Sequence, residues 1–164
     1  QNYFQQAIKE LSIEQLNFKA TPESWSIAQC IEHIAITESM GMGMITQLMQ
    51  APPDGSKRAE IKFTNEAMIK ALEDRSAKFK APEMIQPTGK FSTSEEAAKS
   101  FNAKREEVKD WIAKTQDDMH NHLMPHPAFG MLDSYQWVLL LGGHCKRHSL
   151  QIEEVKAHPN FPKK

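Results

Sequence analysis

The stretch Asp133-Ser134-Tyr135-Gln136-Trp137-Val138-Leu139-Leu140-Leu141-Gly142-Gly143-His144-Cys145-Lys146-Arg147-His148-Ser149-Leu150-Gln151-Ile152-Glu153-Glu154-Val155 decides the fold. Trp137, Leu140/Leu141, His144, His148, Gln151/Ile152 and Val155 recur at spacings of three and four, the period at which an α-helix returns to one face. Asp133 and Gln136 fit a capping box, in which each side chain satisfies an orphan backbone N–H of the first turn. Leu132 and Trp137 occupy the two positions of a hydrophobic staple. The spacing predicts a helix over 134–157 with this stripe turned inward.

The same signals recur upstream. Ser26 and Gln29 form a second capping box, with Trp25 and Cys30 at the staple positions. The helix they open carries Ile27, Cys30/Ile31, Ile34, Thr37, Gly41, Met44/Ile45 and Leu48 inward and ends before Pro52. Further helices are expected over 2–10, 64–80 and 93–117, with a short turn from Ser12 to Leu16. In the helix over 93–117 Arg105 interrupts an apolar stripe, and it is expected to snorkel outward rather than reach a buried carboxylate. Proline-containing segments separate these helices, and no stretch shows the sustained alternation of a half-buried strand. Apolar stripes joined by short connections imply helices packed on one another, so the fold class is all-α, a single helical-bundle domain over residues 1–164.

A chain of 164 residues buries enough surface to fold without disulfides. The two cysteines, Cys30 and Cys145, form no disulfide framework and leave the redox compartment open. A net charge of −1, with Lys and Arg dispersed, argues against nucleic acid as a partner. The longest apolar run, Trp137–Leu141, is far too short to span a bilayer, so no membrane partner is expected either. The first residue is Gln1, which fits both a cytoplasmic protein and an exported one after leader cleavage; the cytoplasm is slightly favoured.

The histidines carry the chemistry. His144 and His148 lie one turn apart on the inward stripe, and four residues of helix bring their rings onto one face. Two imidazoles at core positions are costly unless their nitrogens are satisfied, and a shared metal ion satisfies one on each ring. His33, beside the inward stripe of the second helix, is the candidate for a third ligand. Three histidines leave further coordination positions for water or substrate, the arrangement of a catalytic rather than a structural site. Other metal motifs are missing: Cys145, Lys146 and Arg147 fill the H-x-x-x-H interval, so there is no H-E-x-x-H glutamate, and no E-x-x-H occurs. Cys30, one turn before His33, is a candidate extra ligand or redox-sensitive thiol, whereas His120, His122 and His126 read as polar residues on the surface of a proline-flanked connection. His126, Arg147 and Gln151 are candidate pocket residues: His126 at the mouth, Gln151 to orient a ligand, and Arg147 for an anionic substrate or a neighbouring carboxylate, with a solvated surface arginine its equal alternative.

Three segments together resemble the DinB-like superfamily. They are Trp25-Ser26-Ile27-Ala28-Gln29-Cys30-Ile31-Glu32-His33-Ile34, the loop His126-Pro127-Ala128-Phe129-Gly130, and His144-Cys145-Lys146-Arg147-His148-Ser149-Leu150-Gln151-Ile152, which is similar to that family's H-x-x-R-H-x-x-Q-I segment. The resemblance runs from about Phe4 to Val155. It implies a four-helix up-down-down-up bundle of the DinB/YfiT-like type, here with an extra short helix, often a homodimer. It also implies a metal site on three histidines, which map to His33, His144 and His148. Members of the family resemble metal-dependent thiol S-transferases, including bacillithiol S-transferase-like proteins, and hydrolases. A divalent ion on three neutral imidazoles depresses the pKa of a bound thiol or water toward neutrality. The expected function is therefore a metal-dependent enzyme acting on a small molecule, with a low-molecular-weight thiol as partner or water as nucleophile. The alternative is a metal-binding, sensing or interaction module without turnover. Imidazole accepts Zn, Ni, Mn and Fe alike, so the sequence does not choose the metal.

Overall fold

The computed structural model describes residues 1–163. In chain order come α1 (Asn2–Ala7), α2 (Ile13–Asn17), α3 (Ile27–Gln50), α4 (Asn65–Glu73), α5 (Ser94–Lys114), β1 (Leu123–His126), β2 (Gly130–Asp133) and α6 (Ser134–Lys156). Short 3₁₀ turns stand at Gly55–Glu60 and Glu83–Ile85. The chain is mostly helical, as the periodicity predicts. One correction is needed: β1 and β2 form an antiparallel hairpin, with Leu123 opposite Asp133 and His126 opposite Gly130. Each strand has only four residues, and Pro125 interrupts the first, so no alternation is long enough to read. Gly130, at φ +72°, supplies the left-handed residue that brings the chain back.

Both capping boxes form. Ser26 Oγ accepts from Gln29 N–H at 3.2 Å, and Gln29 Oε1 accepts from Ser26 N–H at 3.0 Å. At α6, Asp133 Oδ1 accepts from Gln136 N–H at 2.8 Å. Such caps contribute about 1 kcal/mol each and place the two long histidine-bearing helices in register with their stripes. Other boundaries fall short of the periodic pattern. α4 stops at Glu73, not near 80, because the Asp74 carboxylate accepts from Ser76 N–H at 2.9 Å and turns the chain.

α3 packs against both α5 and α6, and α4 packs against α6. One core cluster gathers Phe4, Ile27, Cys30, Ile31, Ile34, Phe101 and Ile152; a second gathers Ile45, Met68, Leu72, Leu132, Trp137, Leu140 and Leu141. α3 and α6 approach closely at Gly41, where a Cβ would lie 2.4 Å from Leu141 Cδ2. Met44, read as inward, is exposed. Arg105 does not snorkel outward: its guanidinium forms a bidentate pair with the buried Glu38 of α3. No described helix is long and apolar enough to cross a membrane.

Candidate metal centre

α3 and α6 face one another, and each brings its inward histidines to the same place. His33 is 1 % exposed and His148 9 %, while His144 keeps more of its surface open. The ring centroids lie 4.9 Å apart for His33 and His144, and 4.5 Å apart for the other two pairs. One nitrogen from each ring falls within 4.8 Å of the others, and His33 Nε2 is 3.1 Å from His144 Nε2. Among the described residues this is the one convergence of three potential ligands.

The outer nitrogens are held. His33 Nδ1 lies 2.6 Å from the Ile85 carbonyl, which can only accept, so Nδ1 carries the proton and the Nε2 lone pair faces the other rings. His148 Nδ1 stands 2.8 Å from Gln151 Oε1, which leaves its Nε2 lone pair free in the same way. Trp25 closes one side, its ring 4.8 Å from His33 and 6.0 Å from His148.

Burial keeps these imidazoles neutral. It is the largest cause lowering the pKa of all three, and it takes His144 well below its ordinary value. His148 is pushed down to about 3, first by burial and then by the charge His33 would carry, against the opposing effect of its hydrogen bond to Gln151. Neutral rings, two of them with Nε2 lone pairs turned inward, make a donor set that suits a divalent ion. Three nitrogens at about 2.0–2.1 Å from one ion stand roughly 3.3 Å apart, close to the spacing of His33 and His144. The residues therefore fit a metal ion.

The sequence profile of the DinB superfamily matches residues 1–152. The chain belongs to the DinB superfamily. It is also similar to an uncharacterized protein, YuaE, of Bacillus subtilis strain 168, with 30 % identity over 149 residues, 91 % of this chain and 88 % of that one. No solved structure matches the chain significantly.

Around the trio of this DinB-superfamily member, the other candidates divide. Gln151 touches His148 and orients it. His126 stands apart, its ring packed at 5.2 Å on Trp137 and 5.3 Å on Phe129, although it still bears electrostatically on His144. Arg147 is neither a solvated side chain nor paired with a carboxylate. It is buried and donates to the carbonyls of Leu72 (3.1 Å), in the last turn of α4, and of Asp74 and Ala77 (2.5 Å), just past its end. Cys30 lies in the core outside the converging ligand set, and burial pushes its thiol up to about 12, far from the thiolate a metal would take. His120 and His122 also go separate ways: His120 pairs with Asp133 at 2.9 Å, and His122 Nδ1 meets the Leu48 carbonyl at 3.2 Å.

Sequence reasoning missed Glu32. It is 8 % exposed, and its carboxylate accepts from three consecutive backbone amides, Thr88 (3.1 Å), Gly89 (3.2 Å) and Lys90 (2.7 Å). A helical wheel turns it about 100° from His33, and nothing in the periodicity marks the connection it holds.

Proposed function

We propose that this protein is a metal-dependent enzyme in which His33, His144 and His148 hold one divalent ion and a small molecule reacts beside it. Its DinB-superfamily membership and the three converging imidazoles support that reading. The single observation that carries it is the pair of outer hydrogen bonds, His33 Nδ1–H to the Ile85 carbonyl and His148 Nδ1–H to Gln151 Oε1, which leave two Nε2 lone pairs turned inward. When bound, the ion would lower the pKa of a thiol or water and so supply the nucleophile.

The chain's own residues would do the rest. The three rings stay neutral through burial, and Trp25 walls the site and excludes water on one side. Thr37, one helical turn beyond His33, has a buried hydroxyl without a partner among the described residues, a hydrogen bond on offer to a bound small molecule. With no fourth protein ligand among those residues, coordination positions remain for the reactants, which favours turnover over a closed structural or sensing site. The substrate class is a low-molecular-weight thiol with a small electrophile, or a small hydrolysable molecule. We read α3, α4, α5 and α6 as the four helices of an up-down-down-up bundle that builds this site between α3 and α6.

The test is metal content by mass spectrometry on protein purified without a polyhistidine tag, beside the His144→Ala/His148→Ala variant. Near-stoichiometric metal lost in the variant is expected, followed by turnover of a model electrophile with a cellular thiol, or of an ester with water. A parent protein that is empty and also refuses added Zn, Ni and Mn would overturn the proposal.

A further inference from the structure

Two consecutive residues of α3, Glu32 and His33, grip one passing segment of chain at two points. His33 donates from Nδ1 to the Ile85 carbonyl, and Glu32 accepts from the amides of residues 88–90. Only Gln86 and Pro87 lie between the two grips. Proline fixes its own φ, and Gln86 is itself tied back, with N–H to the Glu83 carbonyl at 3.1 Å and Nε2 to the Ala81 carbonyl at 2.8 Å. The link from Glu32 to Ile85 is therefore stiff.

The second grip has the form of an anion nest. Successive amides around Gly89, which takes φ +79°, converge on a negative group, and the group is the chain's own buried carboxylate. A carboxylate has acceptor sites enough for all three donors. The segment's far end is fixed too, since Arg147 holds the Leu72, Asp74 and Ala77 carbonyls. The nest thus anchors the stretch directly after the 3₁₀ turn, whose last residue, Ile85, presents its carbonyl 2.6 Å from His33.

We propose that Glu32 is a positioning residue of the metal centre. By holding the turn at Thr88–Lys90 it pins the Ile85 carbonyl on His33 Nδ1, and this sets the tautomer and aim of His33. The inference rests on the three-histidine reading above. Glu32 acts through the Ile85 carbonyl, the group that contacts the ligand directly, and losing such a contact changes metal affinity by about 10–100-fold.

The test compares the parent chain with Glu32→Gln and Gly89→Ala. Glutamine offers one acceptor oxygen and turns an NH₂ group toward backbone donors, so it cannot serve three amides. An alanine at 89 meets no atom within 4 Å but is strained at that φ, so it loosens the same turn and leaves the carboxylate in place. Long-range proton–nitrogen NMR on the metal-free protein reads which His33 nitrogen carries the proton. Competition with a chromophoric chelator reads Zn²⁺ affinity, and amide exchange reads the turn.

In Glu32→Gln, His33 is expected to shift from the pure Nδ1–H form to a tautomer mixture, with zinc affinity down about 10–100-fold and faster exchange at residues 88–90. Gly89→Ala should move all three readouts the same way by less, and it carries the test alone if Glu32→Gln does not fold. Faster exchange with the His33 tautomer and zinc affinity unchanged would make Glu32 a loop residue only and overturn the proposal. A parent that takes no zinc would overturn the metal reading. The tautomer measurement, made without metal, would still decide Glu32: a shift supports its role, and no shift overturns it.

Discussion

Arg105 on α5 meets Glu38 on α3 through two parallel hydrogen bonds, Nε to Oε1 at 2.5 Å and Nη2 to Oε2 at 2.7 Å, and also reaches the Leu141 carbonyl of α6 at 3.2 Å. One ion pair thus ties together the three longest helices, two of which carry the histidines. Burial acts to lower the Arg105 pKa, but the hydrogen bonds and charge of Glu38 outweigh it and the net direction is up. Removing one partner strands a buried charge, so Glu38→Leu or Arg105→Met alone should cost about 3–5 kcal/mol in chemical denaturation. Replacing both with apolar residues should recover most of that loss, because no unpaired charge remains. A double variant as unstable as the worse single would show that the pair contributes through packing alone.

Gln151 holds His148 from one turn further along α6. Removing its side chain frees the ring and the choice of protonated nitrogen without emptying the core, since Gln151 is only half-buried. Gln151→Ala should therefore weaken Zn²⁺ binding by about 10–100-fold while leaving thermal stability within about 1 kcal/mol of the parent. Chelator competition beside a thermal melt checks both, and parent-level affinity would remove Gln151 from the centre.

Local signals carried much of the structure. The capping boxes at Ser26 and Asp133 depend on residues three apart, and both form where the spacing places them. The His144/His148 stripe fixes a helix face, and α3 supplies a third imidazole to the same face. What stayed hidden depends on partners distant in sequence. Periodicity treats a charged residue beside an apolar stripe as solvated, yet Glu32, Arg105 and Arg147 each find hydrogen-bond partners 36 to 75 residues away. The end of α4 was likewise invisible, since an Asp74 turn stops a helix that apolar spacing alone would continue to Phe79. The β-hairpin escaped because its strands are shorter than the alternation that identifies one.

The glycines of α3 offer an internally controlled test of helix approach. A Cβ at Gly41 would press on buried Leu141, whereas one at Gly43 meets nothing within 4 Å. Gly43→Ala should stabilise by about 0.5–1 kcal/mol, the usual gain in helix propensity. Gly41→Ala gains the same propensity but overpacks the core, so it should destabilise by about 1–3 kcal/mol net. Equal effects in denaturant titrations would show that α3 and α6 do not approach as closely as Gly41 and Leu141 indicate.

The metal-free protein should be acid-labile in a defined window. His33, His144 and His148 all have folded pKa values below the ordinary 6.5, with His148 at about 3. Below pH 6.5 the unfolded chain takes up protons that the folded chain refuses, so it binds more of them and stability falls as pH falls. The contribution is fully present above pH 6.5 and is lost progressively down to the folded values, at up to about 1.4 kcal/mol per pH unit for each histidine. Substituting His148 alone with glutamine removes its share of the proton uptake, so the slope of stability against pH between about 6 and 4 should flatten measurably. Bound Zn²⁺ should hold the folded state against the same acid titration until the ligands protonate and release it. Urea titrations at stepped pH, with chelator and with zinc, measure each slope. A metal-free parent whose stability is level from pH 7 to 4 would mean that the three rings are not held neutral by burial in this fold.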